Sequence, residues 1–251
     1  MPENNQLERV ARSAAESQAV PSDREGQRKA VVLLSGGLDS ATTLYAARSE
    51  GYRPYALTIR YGQRHRKETD CARWMAAHLG VERRELSIEL PWKGSALLDH
   101  GIELPQKRST DEMNSGIPAT YVPARNTIFL SFALSWAEVL GAEKVFIGAN
   151  ALDYSGYPDC RPEYFATVEE LFKKGTKAGE EGRAIRIAAP LLHKTKAEII
   201  KWGLALGVPF EHTWSCYEGG ATPCGVCDSC LLREKGFHEA GLSDPLMSLS
   251  R

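Results

Sequence analysis

Ala30-Val31-Val32-Leu33-Leu34, followed at once by Ser35-Gly36-Gly37-Leu38-Asp39-Ser40, is the stretch that decides the fold. Five apolar residues in a row predict a short buried strand. Ser35-Gly36-Gly37 breaks the run. Residues 38–48 then show helical spacing, with Leu38, Ala41, Leu44 and Tyr45 on one face, and Gly51 ends that helix. The same alternation continues outward. Strands are predicted at 54–59, 81–86, 144–147 and 184–188. Helices are predicted at 63–79, at Arg125–Leu140 (apolar almost all round), at 162–174 and at 195–206. Thr195 caps the last of these, with Glu198 three residues on. Strands alternating with helices predict an α/β fold, a doubly wound and mostly parallel sheet.

A turn leaving a strand can aim backbone N–H groups at an anion, and the following helix adds its positive N-terminal end. Gly36 and Gly37 let the backbone come close, while Ser35 and Ser40 offer hydroxyls. Asp39 beside phosphates makes sense at a helix N-terminus, or with Mg²⁺ between it and the phosphate oxygens. The bland reading is an ordinary strand-to-helix turn. Neither a Walker A loop nor a dinucleotide G-x-G-x-x-G occurs in the chain. The segment resembles the PP-loop of the N-type ATP pyrophosphatases. That resemblance implies an ATP site at this loop, transfer of AMP to a substrate oxygen, and a doubly wound domain.

The chain has 251 residues, 43% apolar and 25% charged, with a formal net charge of −1. That suits one large α/β domain with a small module, and gives no global sign of nucleic-acid or membrane partners. No apolar run is long enough for a transmembrane helix. Residues 1–28 are polar, lack a signal-peptide core and contain Glu3, Glu8, Glu16 and Glu25, so they are read as a flexible extension of a cytoplasmic protein. Residues 29–212 form the nucleotide-binding domain, and 213–240 a cysteine segment with its own short helix from Ser229 to about His238.

Four of the six cysteines, Cys216, Cys224, Cys227 and Cys230, fall within fifteen residues. In a reducing compartment, clustered thiols bind metal more often than they form disulfides. Four thiolates from one short segment suit a closed tetrahedral Zn²⁺, structural because no position stays open. The overlapping C-x2-C-x2-C also matches part of an iron–sulfur ligand run. The superfamily resemblance favours zinc. Cys71 and Cys160 have no partner spacing.

Three further segments sit where ligands bind in open α/β sheets, beyond the carboxyl ends of strands. They are Tyr61-Gly62-Gln63-Arg64-His65, the Tyr121-to-Asn126 run containing Arg125, and Asp153 to Arg161. The first two have plain alternatives, as a turn and as a helix start. The third suits a flat heterocycle, its rings stacking, its acids reading ring N–H groups and Arg161 offering a fork to a carboxylate.

Taken together with Lys196-Ala197-Glu198-Ile199 and the C-x7-C-G-x-C-x2-C spacing, these motifs resemble the 7-cyano-7-deazaguanine synthase family across roughly residues 30–240. The resemblance implies conversion of 7-carboxy-7-deazaguanine and ammonia to the nitrile, through adenylated carboxylate and adenylated amide, by a homodimer with no nucleic-acid or membrane partner. It implies that Leu34, Ser35, Gly36, Gly37, Leu38, Asp39, Ser40, Ala41, Thr42, Thr43 and Leu44 form the ATP loop, and that Asp39, Ser40, Arg125 and Lys196 act in catalysis. It further implies that Arg60, Tyr61, Gln63, Arg64, His65, Arg125, Asn126, Asp153, Tyr157, Asp159 and Arg161 hold the substrate. A PP-loop enzyme acting on tRNA (thiolase or lysidine synthetase) would call for a basic surface or an added RNA-binding domain. A non-catalytic zinc-dependent binding module would leave the phosphate loop unexplained.

Overall fold

In the computed structural model, which describes residues 26–113, 115–150 and 156–248, the five expected strands form one sheet. They are β1 (Lys29–Leu33), β2 (Arg53–Arg60), β3 (Arg83–Ser87), β4 (Lys144–Phe146) and β5 (Arg186–Ala188). All pairings are parallel, in the order β3-β2-β1-β4-β5. The chain therefore winds from β1 to one edge, returns, and continues from β4 to the other. The order reverses between β1 and β4, the place where doubly wound sheets open a crevice.

Both faces are covered, which explains the unbroken apolar run of β1. Alternate residues point to opposite sides. Ala30, Val32 and Leu34 enter one core with Leu44, Met75, Ile199, Ile200 and Phe210. Val31 and Leu33 enter the other with Leu130, Val145, Phe165 and Phe172. The first core packs α1 (Leu38–Ser49), α2 (Lys67–His78), α7 (Lys196–Ala205) and α8 (Asp228–Ala240). The second packs α4 (Arg125–Leu140) and α5 (Pro162–Gly175). Short helices α3 (Thr110–Met113), α6 (Lys177–Glu180) and α9 (Pro245–Ser248) complete the set among the described residues.

The differences from the sequence expectation are local. The helix expected from 63 begins at Lys67. Gln63 Oε1 accepts from Tyr61 N (2.8 Å), folding residues 61–63 into a turn, so Gln63, Arg64 and His65 line the cleft instead of entering the helix. The third strand lies two residues later than expected at its start. The capping box of α7 forms as read, with Thr195 and Glu198 bonding reciprocally. The aperiodic 91–120 segment is tethered at Ala96, Asp99 and Ile102, whose carbonyls accept from the Arg64 guanidinium (2.7, 3.1 and 2.6 Å). Its later part pairs with the cysteine segment, Gln106 bridging antiparallel to Cys227. The apolar circumference of α4 is only part buried, with Val139 82% exposed and Phe132 also open.

Candidate active site

A cleft of about 300 Å³ opens at the carboxyl ends of β1, β2 and β4. Its floor is Leu33, Leu57, Ile59 and Ile147, and its rim carries the loops that follow those strands. Ser35, Gly37, Leu38, Asp39 and Ser40 line it from the phosphate loop.

That loop is held tightly. Ser40 Oγ accepts from Ser35 N and Gly36 N (3.2 Å each), and Ser35 Oγ accepts from Gly37 N (3.2 Å). Trp214 N donates to Gly36 O (3.0 Å), tying the loop to the cysteine segment. Gly36 has φ +95°, and a Cβ there would lie 1.9 Å from the carbonyl oxygen of Glu68 on α2. Only glycine lets the loop sit this close to that helix.

Asp39 stands in the first turn of α1, where the helix dipole favours a carboxylate. Lys196 Nζ, 157 residues away in sequence, reaches both Asp39 oxygens (2.8 and 2.7 Å), and Asn150 Nδ2 donates to Asp39 Oδ2 (3.1 Å). The lysine stem passes over Gly236 of α8, where a Cβ would meet Lys196 Cγ at 2.3 Å. The phosphate loop and the lysine of the KAEI motif thus meet at one point. Ala41, Thr42, Thr43 and Leu44 are buried behind the loop in α1, and Leu34 lines the cleft beneath it.

The other expected residues divide into two groups. Tyr61, Gln63, Arg64, His65, Arg125, Asn126 and Tyr157 line the cleft. Arg125 lies over the Tyr61 ring, 6.0 Å from its centroid, and burial keeps the Tyr61 phenol above its ordinary range. His65 Nε2 lies 2.8 Å from the Cys216 carbonyl, while its Nδ1 is buried without a partner. Tyr157 Oη is 2.9 Å from Thr120 Oγ1. Arg60, Asp159 and Arg161 are placed outside the lining. Arg60 pairs with Glu85 (3.7 Å), and Arg161 is exposed at the start of α5. Asp159 Oδ2 accepts from Asn126 N (3.0 Å), and Asn126 Nδ2 donates to Asp159 O (2.9 Å), so this acid and this amide fix the start of α4 to the neighbouring loop. Asp153 falls outside the described residues.

Sequence reading missed Glu68, Phe129, Trp214, Ser215, Tyr217 and Ser229, all of which line the cleft. Trp214 and Tyr217 flank the first cysteine, and no periodicity marks them. Glu68 had a usable signal: an acid one turn after Arg64 and His65, on the helix they introduce. It is half-buried, and burial pushes its carboxyl up to about 7, with Arg125 pulling down and Cys216 pushing up.

The four cysteines converge as expected. One sulfur from each of Cys216, Cys224, Cys227 and Cys230 lies within 4.8 Å of every other, the spacing a single tetrahedral ion needs. Thiol hydrogen bonds from Cys227 and Cys230 hold Cys216 well below the ordinary thiol range, and that thiolate in turn holds Cys227 and Cys230 above it. Cys224 N points at Cys216 Sγ (3.3 Å) and Cys227 N at Cys224 Sγ (3.4 Å). Backbone donors aimed at sulfur are the outer support a thiolate site requires. The residues fit a metal held by four thiolates.

A parallel sheet of order 3-2-1-4-5 with Ser-Gly-Gly-x-Asp-Ser at its switch point defines a PP-loop type α/β protein. The profile of the family described as Queuosine biosynthesis protein QueC matches residues 29–241. The chain belongs to that family. It is 58% identical over 221 residues to the 7-cyano-7-deazaguanine synthase of Trichodesmium erythraeum (strain IMS101), covering 87% of this chain and 100% of the relative. It is 54% identical over 224 residues to the protein of the same name from Ralstonia pickettii (strain 12J), covering 87% and 98%. Among solved structures, NMN synthetase from Francisella tularensis aligns over 97% of each chain at 14% identity, with a TM-score of 0.46.

Proposed function

We propose that this protein is an ATP-dependent ligase that turns 7-carboxy-7-deazaguanine and ammonia into 7-cyano-7-deazaguanine, for queuosine-type deazapurine synthesis. Membership of the family supports the reaction. The observation that carries its mechanism is the meeting of Asp39 and Lys196 on the phosphate loop, inside the cleft. The loop from Ser35 to Ser40 holds the ATP phosphates on the N-terminal end of α1. Asp39 would hold Mg²⁺, which would neutralise charge on the nucleotide phosphates, and Lys196 beside it would stabilise charge on the phosphoryl oxygens. Arg125, fixed beside Tyr61, faces the developing negative charge. Tyr157 and Asp153 hold the deazapurine.

The substrate carboxylate attacks the α-phosphorus and pyrophosphate leaves. Ammonia displaces AMP, giving the amide. The amide oxygen is then adenylated in its turn, and loss of AMP closes the nitrile. Excluding water from the cleft matters, because water would return the first adenylate to the acid.

Cys216, Cys224, Cys227 and Cys230 would hold Zn²⁺, which supplies a cross-link that fixes the C-terminal segment against the cleft. Trp214 relays that fixation to Gly36. The chain is organised as the 1–28 extension, the 29–212 nucleotide domain and the 213–240 zinc segment, and it works in the cytoplasm as a homodimer on small molecules. Exposed Phe132 and Val139 on α4 are consistent with a partner chain.

The test is a mass-spectrometric assay of purified zinc-loaded protein with 7-carboxy-7-deazaguanine, ammonium and MgATP. Nitrile with AMP, and no ADP, is expected. AMP without nitrile would assign a different acceptor. No nucleotide cleavage would refute the enzyme reading.

A further inference from the structure

We propose that Glu68 is the general base that takes a proton from the incoming ammonium. The inference rests on the reaction given above. At neutral pH ammonia is almost all ammonium, a cation without the lone pair that attack requires. A group in the cleft has to attract that cation and take one of its protons.

Among the described residues lining the cleft, the carboxylates are Asp39 and Glu68. Asp39 is committed to Lys196 and Asn150. The Glu68 carboxyl makes no hydrogen bond or close ion pair among the described residues, and the Arg125 charge is the favourable influence on it. Leaving a half-buried acid unpaired is unfavourable, and a purely structural acid would be expected to have a partner. The side chain is not there because the helix is loosely placed. The backbone of Glu68 is the very surface on which Gly36 rests, and α2 is fixed through Gly36 to the phosphate loop. Glu68 therefore lines the same cleft as Ser35, Gly37 and Arg125, next to the loop on which the acyl-adenylate would be made.

The neighbouring bases are less suited. His65 has one ring nitrogen engaged by the Cys216 carbonyl and the other walled off from the cleft. Burial keeps the Tyr61 phenol protonated. A carboxyl whose acidity burial has moved to about 7 is able to accept a proton and release it again near neutrality.

Ammonium gives one proton to the Glu68 carboxylate. The freed nitrogen lone pair forms the C–N bond at the acyl carbon. The carbon–oxygen bond to AMP breaks, and AMP leaves with that electron pair. The new nitrogen sheds a second proton to solvent, leaving the neutral amide.

The test compares Glu68→Gln with the unaltered zinc-loaded protein in three assays. These are ATP–pyrophosphate exchange driven by 7-carboxy-7-deazaguanine, turnover with ammonium, and turnover with hydroxylamine. Hydroxylamine is a much weaker base than ammonia, already neutral at the assay pH, and gives a hydroxamate detectable by mass. We expect exchange within about threefold, ammonium turnover down by about 100-fold, and hydroxylamine turnover nearly unchanged. Equal losses with both nucleophiles would overturn the proposal, since shape and not proton transfer would then be at stake. Unimpaired ammonium turnover would overturn it, and so would lost exchange, which would place Glu68 in adenylation or in folding. Absence of substrate-driven exchange in the unaltered protein would sink the reaction itself, and this proposal with it.

Discussion

The two ends of the cleft are held together by different means. At the phosphate end, one contiguous segment supplies strand, loop and helix, and its geometry is fixed by backbone hydrogen bonds and a glycine contact. At the cysteine end the chain from 213 to 227 is irregular, and what gathers it is four thiols. The first end is stable because it is part of the sheet. The second is stable to the extent that an ion neutralises and cross-links the thiolates, since those thiols otherwise perturb one another's protonation strongly. Trp214 joins the two, donating through its backbone to Gly36 and through its ring N–H to Cys216 O (2.9 Å). A cleft with one wall of each kind should respond unequally to the same insult.

The largest inequality should come from removing metal. Stripping the bound metal with a chelator is expected to lower Tm by at least about 10 °C, with tryptophan fluorescence changing before far-UV dichroism as Trp214 loosens. Equal loss in both signals would mean that the two ends are one cooperative unit. The matching insult at the other end is Gly36→Ala. Its methyl would meet the Glu68 carbonyl, so destabilisation of about 3 kcal/mol or more is expected in urea unfolding, with zinc content still stoichiometric in whatever folds.

A smaller effect should follow from Lys196→Ala. Asp39 would keep Asn150 but lose its cation, and we expect kcat/KM to fall by about 100-fold with Tm little changed. Loss of both together would make the pair structural. The smallest effect concerns Glu68. Its carboxyl is pushed from 4.5 to about 7 in the folded state, so the folded protein binds the proton more tightly than the unfolded chain. The ionised form therefore destabilises, fully above pH 7, and the penalty fades as pH falls toward 4.5. Glu68→Gln should then raise Tm above pH 7 by about 2 °C, after discounting for contact with water, and leave it unchanged in acid. A lower Tm for the variant at every pH would show that the carboxylate is a structural anchor.

Most of the frame was legible in the sequence because its signals are local. The apolar run of β1, the long apolar stretch of α4 and the Thr195 cap of α7 are each local signals, and each element formed at or within one residue of the expected place. The cysteine cluster was legible for the same reason. What sequence spacing could not reveal is which polar side chains are used internally. Arg64 lines the cleft as a substrate residue would, and it also pins the 96–102 loop by three carbonyls. Asp159 looks like a base-reading acid but secures the start of α4. Conversely, Glu68 looks like one more acid at the start of a helix, and becomes notable only when the folded chain leaves it without a partner. These distinctions depend on contacts between segments tens of residues apart, which no motif encodes.

The central claim is that each oxygen of the substrate carboxylate leaves on an AMP. The most direct measurement uses 7-carboxy-7-deazaguanine carrying ¹⁸O in both carboxylate oxygens, with ammonium and MgATP, and follows the label by mass spectrometry. The account predicts unlabelled nitrile and two molecules of AMP per turnover, each carrying one ¹⁸O. Label in inorganic phosphate, with ADP as the nucleotide product, or label lost to water before AMP forms, would contradict it.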